Sequence, residues 1–423
     1  MNNQTTLFLH NSMGNELQQF KTREPNKAKV FTCGPSIYQQ PHIGNYRTYA
    51  YQDILVRYLE YLGYNVKRSM NFTDIEDKAI KQAIINGHND LTETTGPAKQ
   101  AFYQDLEKLN IIRPIILGAT ETVPGAIALI EDLIEKGFAY QGKNGNVYFD
   151  ATKIKGPLRP LYDSYHKTTS KLPKKVREFH MDGGYPGENR NLGNFILWHN
   201  LEGKKTIKNT TWNSPWGKGH SGWNVQDPAI IQIALGDQVD IACGGIDNMT
   251  RHHDYNINVM EASTGKDYAN YHLHGAHLLV DGQKMSKSVG NILYPDNLIE
   301  NGLKGEEIRF FLIADKHYRQ TSNFTTEATA DSTAKLYELR CRLHFATHNW
   351  REQETGFAER LTAAFESNMN NDLSVAKAVD AMQAAIEELP AISGKEAMKC
   401  YDAVRKIESV LQIGLARYSH KTA

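Results

Sequence analysis

The chain has 423 residues, and its 48 Lys+Arg balance 48 Asp+Glu. That length exceeds one hydrophobic core and predicts two or three domains, while zero net charge excludes a whole-molecule field that would draw in nucleic acid. With 40% hydrophobic residues and no run near the ~20 apolar residues of a membrane span, a soluble globular protein without membrane partners is expected.

The N-terminal MNNQTTLFLHNSMGNELQQF lacks a charged start followed by a long apolar run, so it does not read as a secretory leader. Cys33, Cys243, Cys341 and Cys400 are far apart, with no disulfide framework and no paired-cysteine zinc spacing, and a cytoplasmic monomer is the expectation.

Along the chain, Val30-Phe31-Thr32 predicts a strand that Cys33-Gly34-Pro35 ends. Pro41-His42-Ile43-Gly44-Asn45 then opens a helix whose Tyr51, Ile54, Leu55, Tyr58, Leu59 and Leu62 recur at spacings of three and four, with Gly63 as the stop. A strand, a sharp loop and a helix entrance carrying a histidine and a glycine make an anion site: the free amides and dipole favour negative charge, and Gly44 permits close approach. Taken alone, such a segment is as readily an ordinary turn.

Tyr64 to Met70 predicts a second strand, followed by Asn71-Phe72-Thr73-Asp74-Ile75-Glu76-Asp77-Lys78. Asp74, Glu76 and Asp77 suit either a ligand edge of a parallel sheet or a helix entry. Helical patterns cover about 79–110 and 123–138, and Tyr140 to Asp150 forms a hairpin turning at Asn144-Gly145. Irregular sequence fills 151–220. Residues 151–212 hold twelve Lys/Arg against five Asp/Glu, with Lys167, Lys171, Lys174, Lys175 and Arg177 crowded together. That run is either a solvated face or a contact for a phosphate backbone.

Gly236 to Ala242 predicts a strand, and Cys243-Gly244-Gly245-Ile246-Asp247 a glycine loop ending in a carboxylate. Leu278-Leu279-Val280 meets an Asp281-Gly282 turn and then Lys284-Met285-Ser286-Lys287-Ser288. Two lysines on a mobile loop can fold over a triphosphate, with serine hydroxyls as further donors; the plain alternative is a solvated connector. From about residue 306 the pattern is helical, over EEIRFFLIAD, 327–350, 356–369, 374–388 and 395–415.

HIGN at 42–45 with KMSKS at 284–288 resembles the paired HIGH and KMSKS motifs of class I aminoacyl-tRNA synthetases, with Asn45 in place of the last histidine. FTCGPSIYQQPHIGNYRTY, YLGYNVKRSMNFTDIEDKAI, WNSPWGKGHSGWNV and GGIDNMTRHHDYNINVMEA narrow the resemblance to the cysteinyl-tRNA synthetase family and its small-molecule relative, the mycothiol-pathway cysteine ligase. It is strong over roughly 28–310 and loose over the tail. It implies an α/β fold: a Rossmann-like parallel-sheet catalytic domain (1–120 and 221–305) interrupted by a connective region (121–220), then an α-helical stem and bundle (306–423). It also implies ATP with Mg2+, amino acid activation to an adenylate, and tRNA as acceptor. By that resemblance His42, Asn45, Lys284 and Lys287 serve the phosphates, Gly44 and Asp247 adenosine, and Thr73 and Trp223 the amino acid pocket.

The family holds a zinc ion on two Cys, one His and one Glu. Here the matching positions are Cys33, Asp227, His252 and Asn256. Cys33, Asp227 and His252 remain a candidate Zn2+ set, with Cys243 a possible substitute thiol; otherwise Cys33 is an inert small residue and His252 and His253 serve the nucleotide. The altered set leaves open which amino acid is activated, and Asp227 suits an amine or cationic group. About 135 residues follow Ser288, enough for a bundle but not for a separate anticodon-reading domain, and Arg405, Lys406, Arg417 and Lys421 make the tail mildly basic. Two alternatives stand beside the tRNA ligase: an adenylate-forming ligase acting on a small amine or carrier, and a silent paralogue, against which the intact lysine loop argues.

Overall fold

A computed structural model describes residues 6–157, 159–167, 194–348, 356–387 and 394–415. Its central sheet has five parallel strands, in the spatial order Ala269–Gly275, Val239–Gly245, Lys27–Thr32, Asn65–Phe72, Ile115–Gly118. The first of these five strands in the chain, Lys27–Thr32, therefore lies in the middle, and the order reverses between it and Val239–Gly245. In open α/β sheets the crevice beyond the carboxyl ends at such a reversal is where ligands bind.

Apolar residues of the central strands serve both faces. Val30, Ile241 and Cys243 pack with helix Ile43–Tyr61, through Tyr46, Ala50, Ile54 and Tyr58. Phe31 and Ala242 pack on the other side with Ile230 and Ile231 of helix Trp223–Ala234. Burial on both faces explains why these strands read as apolar runs without alternation. The strand predicted to end at Ala242 continues to Gly245, so Cys243 is a core residue of the sheet and not part of a loop.

Between the two halves of the sheet the chain forms an antiparallel sheet of Ala139–Gln141, Val147–Phe149, Phe195–Asn200 and Gly219–Ser221. Gly145 turns the first hairpin with φ +81°. Phe149, Phe195 and Trp198 fill its core with Tyr255 of the catalytic half. The stretch 151–220, expected to be irregular, thus contains two strands and the helix Pro160–His166. Lys171, Lys174, Lys175 and Arg177 lie outside the described residues, as do Arg417 and Lys421.

The tail is helical: Gly305–Ala314, Thr326–His348, Phe357–Met369, Val375–Glu387 and Gly394–Leu411. A buried ion pair joins it to helix Ile43–Tyr61 of the catalytic half. Arg309 Nη2 is 2.6 Å from Asp53 Oδ2, and the same guanidinium donates to the carbonyls of Leu411, Leu109 and Asn110. Leu278–Val280 pairs in parallel with Ser322–Phe324 and antiparallel with Gln283–Lys284. Asp281 (φ 49°) and Gly282 (φ 77°) form the two-residue turn, the primed geometry that suits a hairpin. This small sheet is the base from which the lysine loop projects. Among the described residues no helix is long and apolar enough to cross a membrane.

Candidate active site

A cleft of ≈ 370 Å³ opens at the carboxyl edge of the sheet, at the order reversal. Cys33, Gly34, Thr73, Gly245 and Asp247 reach it from strand ends, and His42 and Asn45 from the start of helix Ile43–Tyr61. Glycine is required beside it at Gly34, where a Cβ would come within 2.0 Å of the Asn71 carbonyl oxygen. At Gly244 a Cβ would meet His253 Cε1 at 2.4 Å. These are the close approaches that let loop and strand share one wall.

At the helix entrance the backbone N–H of His42 donates to Asn45 Oδ1 (3.0 Å), so Asn45 closes the first turn with its oxygen and retains its amide nitrogen as a donor. The Ile43 amide is taken by Leu293 O and that of Asn45 by His42 O, which leaves the Gly44 amide unassigned. Burial lowers the His42 pKa, and Lys284 acts in the same direction, so the ring is neutral near pH 7. A neutral imidazole can donate one hydrogen bond to a phosphate without the cost of burying a second charge.

The lysine loop lies across the opposite rim. Lys284 Nζ is 3.8 Å from Asp247 Oδ2, and Lys287 Nζ stands 5.9 Å from the centroid of the Tyr38 ring. Met285, between them, is buried. Asn291 braces the loop, accepting from the Ser286 amide (3.0 Å) and donating to Lys284 O (3.3 Å). Thr73 accepts from Asn71 Nδ2 at 3.2 Å. Asp74, one residue on, is a structural acid: it bonds Lys99 Nζ (2.6 Å) and both the amide and the hydroxyl of Thr120. Glu76 lines the cleft, and burial raises its carboxyl pKa.

One wall is formed by Trp223 and His252, whose rings stack at 5.0 Å with 5° between planes. His252 is aimed by a kink in which Arg251 adopts φ 74°, an unfavourable setting for a large side chain. Its Nε2 lies 2.8 Å from Asp227 Oδ2 and 3.4 Å from Cys33 Sγ. Asn256 Nδ2 approaches the same Asp227 oxygen at 3.4 Å, and Asn248 Nδ2 lies 3.4 Å from Cys33 Sγ. Burial pushes the Cys33 thiol up. On His252 burial opposes charge, yet Asp227 and then Cys33 outweigh it and hold the pKa well above the ordinary imidazole value.

The structure therefore brings together every predicted site residue: Cys33, His42, Gly44, Asn45, Thr73, Trp223, Asp227, Asp247, His252, Lys284 and Lys287. Sequence reasoning missed Tyr38, Asn248 and the seat of Met285. Tyr38 stands four residues before His42, and Asn248 directly follows Asp247, so position was the only available signal for either.

Cys33, His252 and His253 bring potential ligand atoms within 4.8 Å of one another. His253 is committed on one side, its Nδ1 lying 2.8 Å from His274 Nε2. Two ligands on one zinc stand roughly 3.3 Å apart, whereas Asp227 and His252 are at hydrogen-bond distance from each other. Asn256 adds only a neutral amide, a poor ligand for zinc. Cys243 is sealed in the sheet, its thiol pushed up to about 12 by burial. This donor set does not fit a tight zinc centre.

Residues 19–334 match the family described as tRNA synthetases class I (C) catalytic domain. The chain belongs to that family and is a ligase of the aminoacyl-tRNA synthetase kind. Over 424 residues it is 33% identical to the cysteine--tRNA ligase of Chlamydia felis, covering 97% of this chain and 87% of the relative. The corresponding enzyme of Chlamydia muridarum is 36% identical, with 88% and 78% covered. That of Protochlamydia amoebophila is 31% identical, with 96% and 86% covered. Among solved structures, Mycobacterium tuberculosis methionyl-tRNA synthetase in complex with methionyl-adenylate superposes with a TM-score of 0.67 at 15% identity, covering 93% of each chain, a likeness of fold.

Proposed function

We propose that this cleft joins an amino acid to ATP, releasing pyrophosphate, and passes the aminoacyl group to tRNA in the cytoplasm. An oxygen of the amino acid carboxylate attacks the α-phosphorus, and the bond from that phosphorus to the bridging oxygen of pyrophosphate breaks. A ribose hydroxyl of tRNA then attacks the carbonyl carbon and AMP leaves. The observation that carries the reading is the placement of both phosphate-facing groups on one cleft, with His42 and the Gly44 amide on the helix side and Lys284 and Lys287 on the loop side.

His42 donates to phosphate oxygen as a neutral ring, Asn45 Nδ2 adds a second donor, and the helix N-terminus favours the anion. Lys284 and Lys287 fold over the β- and γ-phosphates, where charge builds as pyrophosphate departs. Mg2+ arriving with ATP neutralises phosphate charge. Asp247 holds the adenosine ribose, and Thr73 and Trp223 bound the amino acid. The protein thus contributes position and charge, which is most of what phosphoryl chemistry needs. Amino acid-dependent exchange of pyrophosphate into ATP, run across all amino acids with and without tRNA, tests this: one amino acid should support exchange, and exchange with none would overturn it.

A further inference from the structure

Asn71, near the end of strand Asn65–Phe72, is 1% exposed and lies against the loop that follows Cys33. Its partners fix which amide atom is which. The backbone N–H of Gly34 donates to Oδ1 at 2.6 Å, which leaves Nδ2 to donate to Thr73 Oγ1 at 3.2 Å. The main chain of Thr73 is held on both sides: its N–H donates to Pro35 O (3.2 Å), and its carbonyl accepts from the Ile37 N–H (3.0 Å). The freedom that remains is rotation of the hydroxyl, and Asn71 sets it. An amide nitrogen donates and does not accept, so Thr73 Oγ1 accepts there and its own hydrogen turns away from Asn71.

Thr73 lines the cleft, as do Cys33, Gly34 and Trp223. Among the described residues no group accepts the Thr73 hydroxyl hydrogen. Resting on the reading that Thr73 bounds the amino acid, we infer that Asn71 is a positioning residue for the reaction. It presents the Thr73 hydroxyl to the cleft as a donor, and a carboxyl oxygen of the amino acid receives that hydrogen. Of the two groups every amino acid shares, the ammonium donates and the carboxylate accepts. An ammonium set against Thr73 would leave the hydroxyl hydrogen unmatched. A carboxylate oxygen completes an unbroken run from the Gly34 N–H through Asn71 and Thr73, and each bond in such a run polarises the next.

Pyrophosphate exchange, with the amino acid that supports it, in Asn71→Asp, Thr73→Val and Thr73→Ser tests the inference. Asn71→Asp keeps an acceptor for the Gly34 N–H but places a second acceptor where Nδ2 donated, so the Thr73 hydrogen turns back and the cleft loses its donor. At pH 8 the amino acid KM should rise roughly 10- to 10²-fold in Asn71→Asp and in Thr73→Val, with the ATP KM unchanged. Thr73→Ser, which keeps the hydroxyl, should lose far less. Asn71→Asp combined with Thr73→Val should be no worse than Thr73→Val alone, because both remove one contact. An amino acid KM that is unchanged in Asn71→Asp overturns the inference. So does a lower one, since a carboxylate there would draw an ammonium closer. If Asn71→Asp does not fold, Thr73→Val against Thr73→Ser decides, and equal KM values overturn the inference. The decarboxylated amine of the same amino acid, used as a competitor, should bind the parent and Thr73→Val alike; a loss equal to that of the amino acid would overturn the assignment to the carboxyl group. A parent that exchanges while its variants keep the parental KM defeats this inference alone, whereas a parent that exchanges with no amino acid defeats the synthetase reading itself.

Discussion

The terminal methyl of Met285 rests over the Cα of Gly44: a Cβ built on Gly44 would come within 2.6 Å of Met285 Cε and 3.1 Å of the His42 ring. Two segments 241 positions apart thereby meet at the entrance of helix Ile43–Tyr61. Gly44 is small because a loop residue, Met285, takes the space a Cβ would need. Gly44→Ala should displace the loop and slow pyrophosphate exchange by up to ~10²-fold, the scale of an ångström-sized misplacement. Met285→Ala removes the clashing methyl, so the double variant should be faster than the product of the two single effects. Strictly multiplicative effects would show that the two residues act separately.

On the proposed function, the lysine loop acts on developing charge more than on bound ATP. Lys284→Ala and Lys287→Ala should each reduce the rate of adenylate formation on the order of 10²–10³, with little change in ATP affinity. Rapid-quench kinetics separates the two quantities. An unaltered rate for either variant would remove that lysine from the mechanism.

Arg309 is a stability residue. Replacing it with Met removes a cation from a fully buried pair with Asp53 and orphans the Leu411 carbonyl. Arg57 Nε, 2.8 Å from the same carboxylate, retains part of the compensation. A loss of about 3 kcal/mol is expected, at the low end for breaking a buried pair. Urea denaturation reads it directly. Because the pair joins helix Ile43–Tyr61 to the tail, the midpoint should fall without loss of the cleft at low urea.

His272 makes the fold acid-sensitive. Burial in strand Ala269–Gly275 depresses its pKa to about 4, so the folded chain keeps the ring neutral while the unfolded chain takes a proton below pH ~6.5. Its contribution is complete above pH ~6.5 and is lost as pH falls from there towards 4, by about 3 kcal/mol. His272→Gln should show a shallower decline of stability across that window. An equal slope in parent and variant would contradict this assignment.

What was legible in the sequence was local. Val30 to Leu62 reads as strand, loop and helix because the apolar spacing changes from a run to a period of three and four at Pro41-His42. The Asp281-Gly282 turn announced itself through two residues suited to positive φ. Of the antiparallel sheet of 139–221 only the hairpin at 140–150 did; Phe195–Asn200 and Gly219–Ser221 did not, because they pair across intervals of tens of residues and the last strand is three residues long. The Asp227–His252 pair is likewise a product of tertiary structure: one residue sits on a helix, the other beyond a strand and a kink, and the spacing of 25 carries no period. The resemblance placed both at one site; their 2.8 Å bond is visible only in three dimensions.

The most direct measurement is charging itself. The chain is incubated with ATP, Mg2+, a tRNA pool and each labelled amino acid in turn, with and without periodate oxidation of the terminal tRNA ribose. One amino acid should become linked to tRNA through an alkali-labile bond, and periodate treatment should abolish the product. Adenylate formation with label passing to a small amine, and none to intact tRNA, would contradict the account.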